Sequence, residues 1–218
     1  MIDEQEAKLR EQIVEVMAAM DARGLNRGTS GNVSARLGEG ALVTPTGIPP
    51  SALKPEHIVK LSADGSYDPA GMKPSSEWLM HLKLLQLRPD ANAVVHCHSR
   101  HATILACANM PIPAVHYMVA VSGGSSVPVA PYATFWSAEL AEVVCEALAG
   151  QYATLMANHG QIVAAPSLRA ALLIAEEVEE QAAIYWGTLA IGGPTLLGGD
   201  EMARIAEQFR SYGQKKKS

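Results

Sequence analysis

The residues best suited to chemistry are two histidines one position apart, in Val94-Val95-His96-Cys97-His98-Ser99, and a third in Leu155-Met156-Ala157-Asn158-His159-Gly160. Ala93, Val94 and Val95 read as the end of a buried strand. Side chains alternate along a strand, so His96 and His98 project from one side, about 7 Å apart along the chain. Two imidazoles so placed can converge on one metal ion. A lone histidine is more often an ordinary half-buried residue; the pairing, the strand end and the third histidine favour ligation here. Three neutral imidazoles on a divalent ion leave a fourth position open, which is the pattern of a catalytic zinc site. Alternation turns Cys97 to the opposite face, so it is expected in the core.

Three polar loops, Ser30-Gly31-Asn32, Thr46-Gly47 and Ser75-Ser76, could hold an anion together. None is a Walker loop or a dinucleotide fingerprint, so no nucleotide is implied. Their small residues let backbone N–H groups approach a ligand, and either serine of the third pair can cap a helix whose N-terminus favours negative charge. Singly, each loop is more often a turn or a cap. Glu77 follows directly. Alone it is explained by the helix dipole; if loops and histidines enclose one cavity, it lies between phosphate and metal, where a carboxylate can act as general base. His57 and His81, among charged neighbours, are expected at the surface. His101 is a candidate partner behind the ligands. Tyr117, in an apolar stretch, reads as core, although a phenol near a metal can donate a proton.

The elements that must position these residues follow from periodicity. Leu9, Ile13, Val16, Met17 and Met20 form one stripe on a helix over 3–23, ended by Gly24. Strands are expected at 33–37 and 41–43, with Gly38-Glu39-Gly40 as the turn between them, and at 57–61. A helix starts near Ser75-Ser76 and stops near Arg88-Pro89; the His96/His98 strand and a helix through Leu105 come next. An edge piece at 127–132, helices at 137–149 and 167–190 separated by an apolar strand ending at His159, and a helix at 200–211 complete an α/β architecture.

At 218 residues and 48% hydrophobic content, one domain spanning 1–218 is expected, with 212–218, including Lys215-Lys216-Lys217, as a frayed tail. A net charge of −5 argues against a general nucleic-acid or anionic-membrane surface. Three cysteines in apolar sequence suit buried thiols in a reducing compartment, and neither a leader nor a membrane span is recognisable, so a soluble cytoplasmic protein is expected.

Seven segments, Gly28-Thr29-Ser30-Gly31-Asn32-Val33-Ser34, Thr44-Pro45-Thr46-Gly47-Ile48-Pro49, Pro74-Ser75-Ser76-Glu77-Trp78, Val94-Val95-His96-Cys97-His98, Ile112-Pro113-Ala114-Val115-His116-Tyr117-Met118, Ala130-Pro131-Tyr132-Ala133-Thr134-Phe135 and Asn158-His159-Gly160, resemble in order the motifs of the class II aldolase/adducin family, over about residues 24 to 213. The resemblance implies a three-layer α/β/α fold around a largely antiparallel central sheet, and a cyclic homotetramer with sites between subunits. It implies an aldolase dependent on zinc, or on another divalent ion, that splits a ketose 1-phosphate into dihydroxyacetone phosphate and a short aldehyde through an enediolate. L-fuculose 1-phosphate or a related deoxy-ketose 1-phosphate would be the substrate. By the same resemblance His96, His98 and His159 hold the metal, and Gly31, Asn32, Thr46, Gly47, Ser75 and Ser76 hold the phosphate. Glu77 is the acid/base group; Tyr117, from a neighbouring subunit, handles the proton on the aldehyde-derived oxygen; Phe135, Phe209 and Tyr212 shape the aldehyde pocket.

Elementary chemistry agrees, since breaking the carbon–carbon bond leaves negative charge that a cation chelated by substrate oxygens stabilises. Cys97, Ala157-Asn158 and the segment Gly192 to Leu197 depart from the family pattern and leave the aldehyde open. A methylthioribulose-phosphate dehydratase, a pentulose-phosphate 4-epimerase and an adducin-head-like binding module are the alternatives. The epimerases look to carry aspartate at the position of Glu77, and the binding module lacks the ligands, so the residues present favour the aldolase over these two; the dehydratase shares the metal site and stays open.

Overall fold

A computed structural model describes residues 3–211 of the chain. In order they form α1 (Glu4–Ala22), β1 (Asn32–Leu37), β2 (Gly40–Val43), β3 (Val59–Leu61), α2 (Trp78–Leu87), β4 (Ala93–Cys97), α3 (Arg100–Cys107), β5 (Val129–Ala130), α4 (Ala138–Ala147), β6 (Ala153–Met156), β7 (Gly160–Ala165), α5 (Leu168–Leu189) and α6 (Gly199–Ser211). The Asp3 side chain accepts from the Glu6 amide at 2.7 Å and starts α1, whose residues Ile13, Val16, Met17 and Met20 are buried as their spacing requires.

The strands make one sheet in the order β3-β2-β1-β4-β7-β6-β5. The sheet is mixed and mostly antiparallel. Only the edge pair β5 and β6 runs parallel, because α4 lies between them in the chain and carries it back across the sheet, as a parallel neighbour requires. Helices cover both faces. Val33, Val95, Cys97, Leu155 and Val163 pack with α1, α3 and α5 on one side; Val94, Met156, Ile162 and Ala164 pack with α2 and α4 on the other. The central strands β4 and β7 are therefore buried on both faces and read as continuous apolar runs.

Three expectations are corrected. The apolar stretch read as one strand ending at His159 is a hairpin: Asn158 sits at φ 56°, and β7 returns antiparallel to β6 and beside β4. Asparagine tolerates that left-handed conformation better than most residues. Residues 57–61 give only a three-residue strand, since Pro55–His57 is a 3-10 turn. Of the three cysteines only Cys97 is buried; Cys107 is exposed at the end of α3 and Cys145 half-buried. Among the described residues no helix is long and apolar enough to cross a membrane. The tail 212–218 lies outside the described residues.

Candidate active site

Strand β4 and the β6–β7 turn bring the three histidines together. His96 is fully buried, and its Nδ1 lies 2.8 Å from the Gln161 carbonyl on β7. A carbonyl only accepts, so Nδ1 carries the proton and Nε2 presents a bare lone pair. That nitrogen is 3.0 Å from His98 Nε2, and the three ring centroids are 4.8 to 4.9 Å apart pairwise. One donor atom from each of His96, His98 and His159 lies within 4.8 Å of the other two.

Glu77 closes the group. Its Oε2 stands 3.3 Å from His96 Nε2 and its Oε1 3.1 Å from His159 Nε2. Asn32, paired with His96 in the β1–β4 register, donates from Nδ2 to Oε2 at 2.9 Å. The sequence places a serine at the cap of α2, but the N-cap position is Glu77 itself, and its side chain makes no cap bond; it turns to the imidazoles instead. Oε1 is buried against His159 Nε2, and no other group among the described residues reaches it.

These residues fit a divalent cation. Bond lengths of about 2.0 to 2.1 Å in a tetrahedral arrangement put neighbouring donor atoms about 3.3 Å apart, close to the 3.0 Å between the Nε2 atoms of His96 and His98. With His96 Nε2 unprotonated, three imidazole nitrogens and a carboxylate drawn together in this way offer a cation a ready set of lone pairs. Protonation states agree. Burial, reinforced by the neighbouring imidazoles and opposed by Glu77, pushes His96 down to about 3, and burial lowers His98, so both stay neutral as ligation demands. Burial alone would raise the Glu77 carboxyl, but His96, His159 and the Asn32 amide outweigh it and hold the group below the usual carboxylate range. The Cys97 thiol is pushed up to about 12 by burial and is no ligand.

The cluster opens on a cavity of about 380 Å³. Its walls include Glu77, His98 and His159 together with Gly31, Asn32, Thr46, Gly47, Ser75, Ser76 and Phe135. The three loops named from sequence thus share one space with His98 and His159, and His96 lies buried directly behind them. Gly31 has φ 80°, and a Cβ there would lie 2.3 Å from the buried Asn26 amide, so only glycine suits the turn. Tyr117 and Phe209 lie away from this wall. Tyr117 is exposed, in the 3-10 turn Tyr117–Ser122, and its ring stacks on Phe209 with centroids 6.5 Å apart. Tyr212 lies outside the described residues. His101 belongs to a different contact, its Nδ1 2.8 Å from Glu179 on α5. Tyr132 and Asn158 also line the cavity and escaped the sequence reading. Tyr132 stands three residues before Phe135, in the same motif, and Asn158 precedes the third histidine; proximity to named residues was the available signal.

His81, expected at the surface, is fully buried. Four residues after Glu77, it lies on the same face of α2 and packs against β1, where Ser34 Oγ is 2.8 Å from Nδ1 and Asn32 Oδ1 2.5 Å from Nε2. Burial drives its pKa down from 6.5 to about 4, with Glu77 opposing. The unfolded chain therefore binds the proton more readily than the native one. The associated stability is complete above pH 6.5 and falls at up to about 1.4 kcal/mol per pH unit between there and about 4. Urea unfolding of chelator-treated protein should show wild type losing stability from pH 7 to pH 5 more steeply than His81→Gln; equal slopes would mean that His81 is not buried neutral.

Fold and site together define an enzyme of the metal-dependent, class II aldolase kind. Residues 11–186 match the family model of the Class II Aldolase and Adducin N-terminal domain. Over 207 residues the chain is 48% identical to the L-fuculose phosphate aldolase of Escherichia coli strain K12, covering 94% of this chain and 96% of that protein. It is 44% identical over 205 residues to the 5-methylthioribulose-1-phosphate/5-deoxyribulose-1-phosphate aldolase of Rhodospirillum rubrum, covering 94% and 92%. A solved L-fuculose 1-phosphate aldolase matches with a TM-score of 0.90 and 38% identity over 93% of this chain and 96% of that one. The chain belongs to the class II aldolase and adducin family.

Proposed function

We propose that this protein cleaves a ketose 1-phosphate to dihydroxyacetone phosphate and a short aldehyde, with L-fuculose 1-phosphate as the leading substrate. The observation that carries the reading is the convergence of His96, His98, His159 and Glu77 beside a cavity whose walls include three loops of small polar residues. His96, His98 and His159 would hold the ion, zinc foremost and another divalent metal as the alternative. Bound there, the ion supplies a Lewis acid for the substrate's oxygens as the carbon–carbon bond breaks. Glu77, ionised and held through Oε2 by Asn32, takes and returns the proton at the carbon that becomes nucleophilic. Gly31, Asn32, Thr46, Gly47, Ser75 and Ser76 receive the phosphate, at the end of the cavity next to the start of α2. Phe135, 61% exposed at the cavity mouth, would contact the aldehyde end.

Tyr117 is assigned to the active site of a neighbouring subunit of a homotetramer, and Phe209 to the aldehyde pocket; the exposure of Tyr117, outside the lining of its own chain's cavity, supports its assignment. The chain acts as one domain, 1–218, in the cytoplasm, where its free thiols suit reducing conditions. A second substrate reading, 5-deoxyribulose or 5-methylthioribulose 1-phosphate, is favoured by the Rhodospirillum relative at 44% identity. A panel of ketose 1-phosphates assayed for released dihydroxyacetone phosphate decides. Cleavage of one of these, abolished by chelator and restored by zinc, is expected. Loss of water without carbon–carbon cleavage would make the protein a dehydratase, and inertness of the zinc-loaded protein toward the whole panel would end the proposal.

A further inference from the structure

Behind the catalytic carboxylate runs a buried polar chain: Ser34 Oγ to His81 Nδ1 at 2.8 Å, His81 Nε2 to Asn32 Oδ1 at 2.5 Å, and Asn32 Nδ2 to Glu77 Oε2 at 2.9 Å. Ser34 and His81 are fully buried, Asn32 and Glu77 nearly so. Every proton in it is fixed from one end. An ionised carboxylate only accepts, so Asn32 must turn its amide nitrogen to Glu77 and its oxygen to His81. That oxygen also only accepts, so His81 carries its proton on Nε2, and Ser34 donates to the bare Nδ1.

We propose that His81 is a positioning residue: by donating to Asn32 Oδ1 it locks the amide in the one orientation that holds Glu77 toward the imidazoles and the cavity. The fold builds the lock from two periodicities. Glu77 and His81 are one helical turn apart on α2, and Asn32 and Ser34 are two apart on β1, so both pairs share a face. Without His81 only the carboxylate itself still favours that orientation, and Asn32 Oδ1 is left buried without its donor. The amide then relaxes toward a new donor and loosens its hold on Glu77.

This inference rests on the aldolase reading for its kinetic test, and has a second test that does not. Glutamine at 81 can place a donor where Nε2 stands, whereas asparagine reaches only the position of Nδ1. In the zinc-loaded enzyme His81→Asn should lower kcat about 10- to 100-fold, with KM and zinc content little changed, and should slow solvent exchange of the dihydroxyacetone phosphate hydrogen in parallel. His81→Gln should stay within about threefold of wild type. Wild-type kcat in a folded His81→Asn, or equal losses in both variants in step with lowered Tm, would overturn the inference. An inactive wild type would overturn the aldolase reading and leave the second test standing. In long-range 15N spectra of the wild-type protein His81 should be protonated on Nε2; a proton on Nδ1 breaks the chain at Asn32 and overturns the inference whether or not any variant folds.

Discussion

Replacing Glu77 by glutamine should leave a protein that binds one divalent ion per chain yet exchanges the hydrogen of dihydroxyacetone phosphate with solvent about 10²- to 10⁴-fold more slowly, the usual worth of a positioned acid/base group. The amide has nearly the volume of the carboxylate, and its oxygen can still accept from Asn32 Nδ2, so the loss isolates proton transfer from packing. Exchange is the readout of choice because it needs only the first product, independent of which aldehyde the enzyme prefers. Undiminished exchange in a metal-loaded Glu77→Gln would remove Glu77 from its role.

Substituting His159 by alanine should lower zinc affinity more than 100-fold, since even groups behind the ligands are worth 10- to 100-fold, and cleavage should fall with it. His159 is the ligand to choose. It sits on the β6–β7 turn with 13% of its side chain exposed, so truncation leaves the core intact. His96 is fully buried and bonded to the Gln161 carbonyl, and its removal would mix metal loss with a cavity and an orphaned acceptor. A thermal scan separates the two effects. Zinc raises the Tm of any form that binds it, so wild type should gain stability on zinc addition and His159→Ala should gain little at the same concentration. An equal gain in both would mean that His159 does not hold the ion.

The local features were legible and the tertiary ones were not. The pair His96 and His98 lies within one strand end, and each anion loop within a few residues, so alternation and turn chemistry were enough to single them out. Their convergence with His159 is long-range: residue type offered it as a third ligand, and the resemblance of seven ordered motifs gave that reading its support. Strand β7 was missed because Asn158-His159-Gly160 looks like the end of an apolar run; that it reverses the chain depends on Asn158 adopting φ 56°, which composition does not announce. His81 was misjudged because its neighbours in sequence suggested solvent, whereas its burial comes from β1 packing under α2. Its spacing from Glu77 was the overlooked signal. The cap of α2 was misassigned for a related reason: either serine suits that position by type, whereas the residue that occupies it, Glu77, makes no cap bond and turns to His96 and His159, which are remote in sequence.

The central claim is that three imidazoles remote in sequence share one cation at the wall of an amide-lined cavity. Anomalous diffraction at the zinc absorption edge, from crystals of the zinc-loaded protein, tests it most directly. One peak per chain is predicted, bonded to a nitrogen of each of His96, His98 and His159 at about 2.0 to 2.1 Å and open on the side of the cavity. No peak after reconstitution, or a peak that leaves out any of the three or is sealed from the cavity, would contradict it.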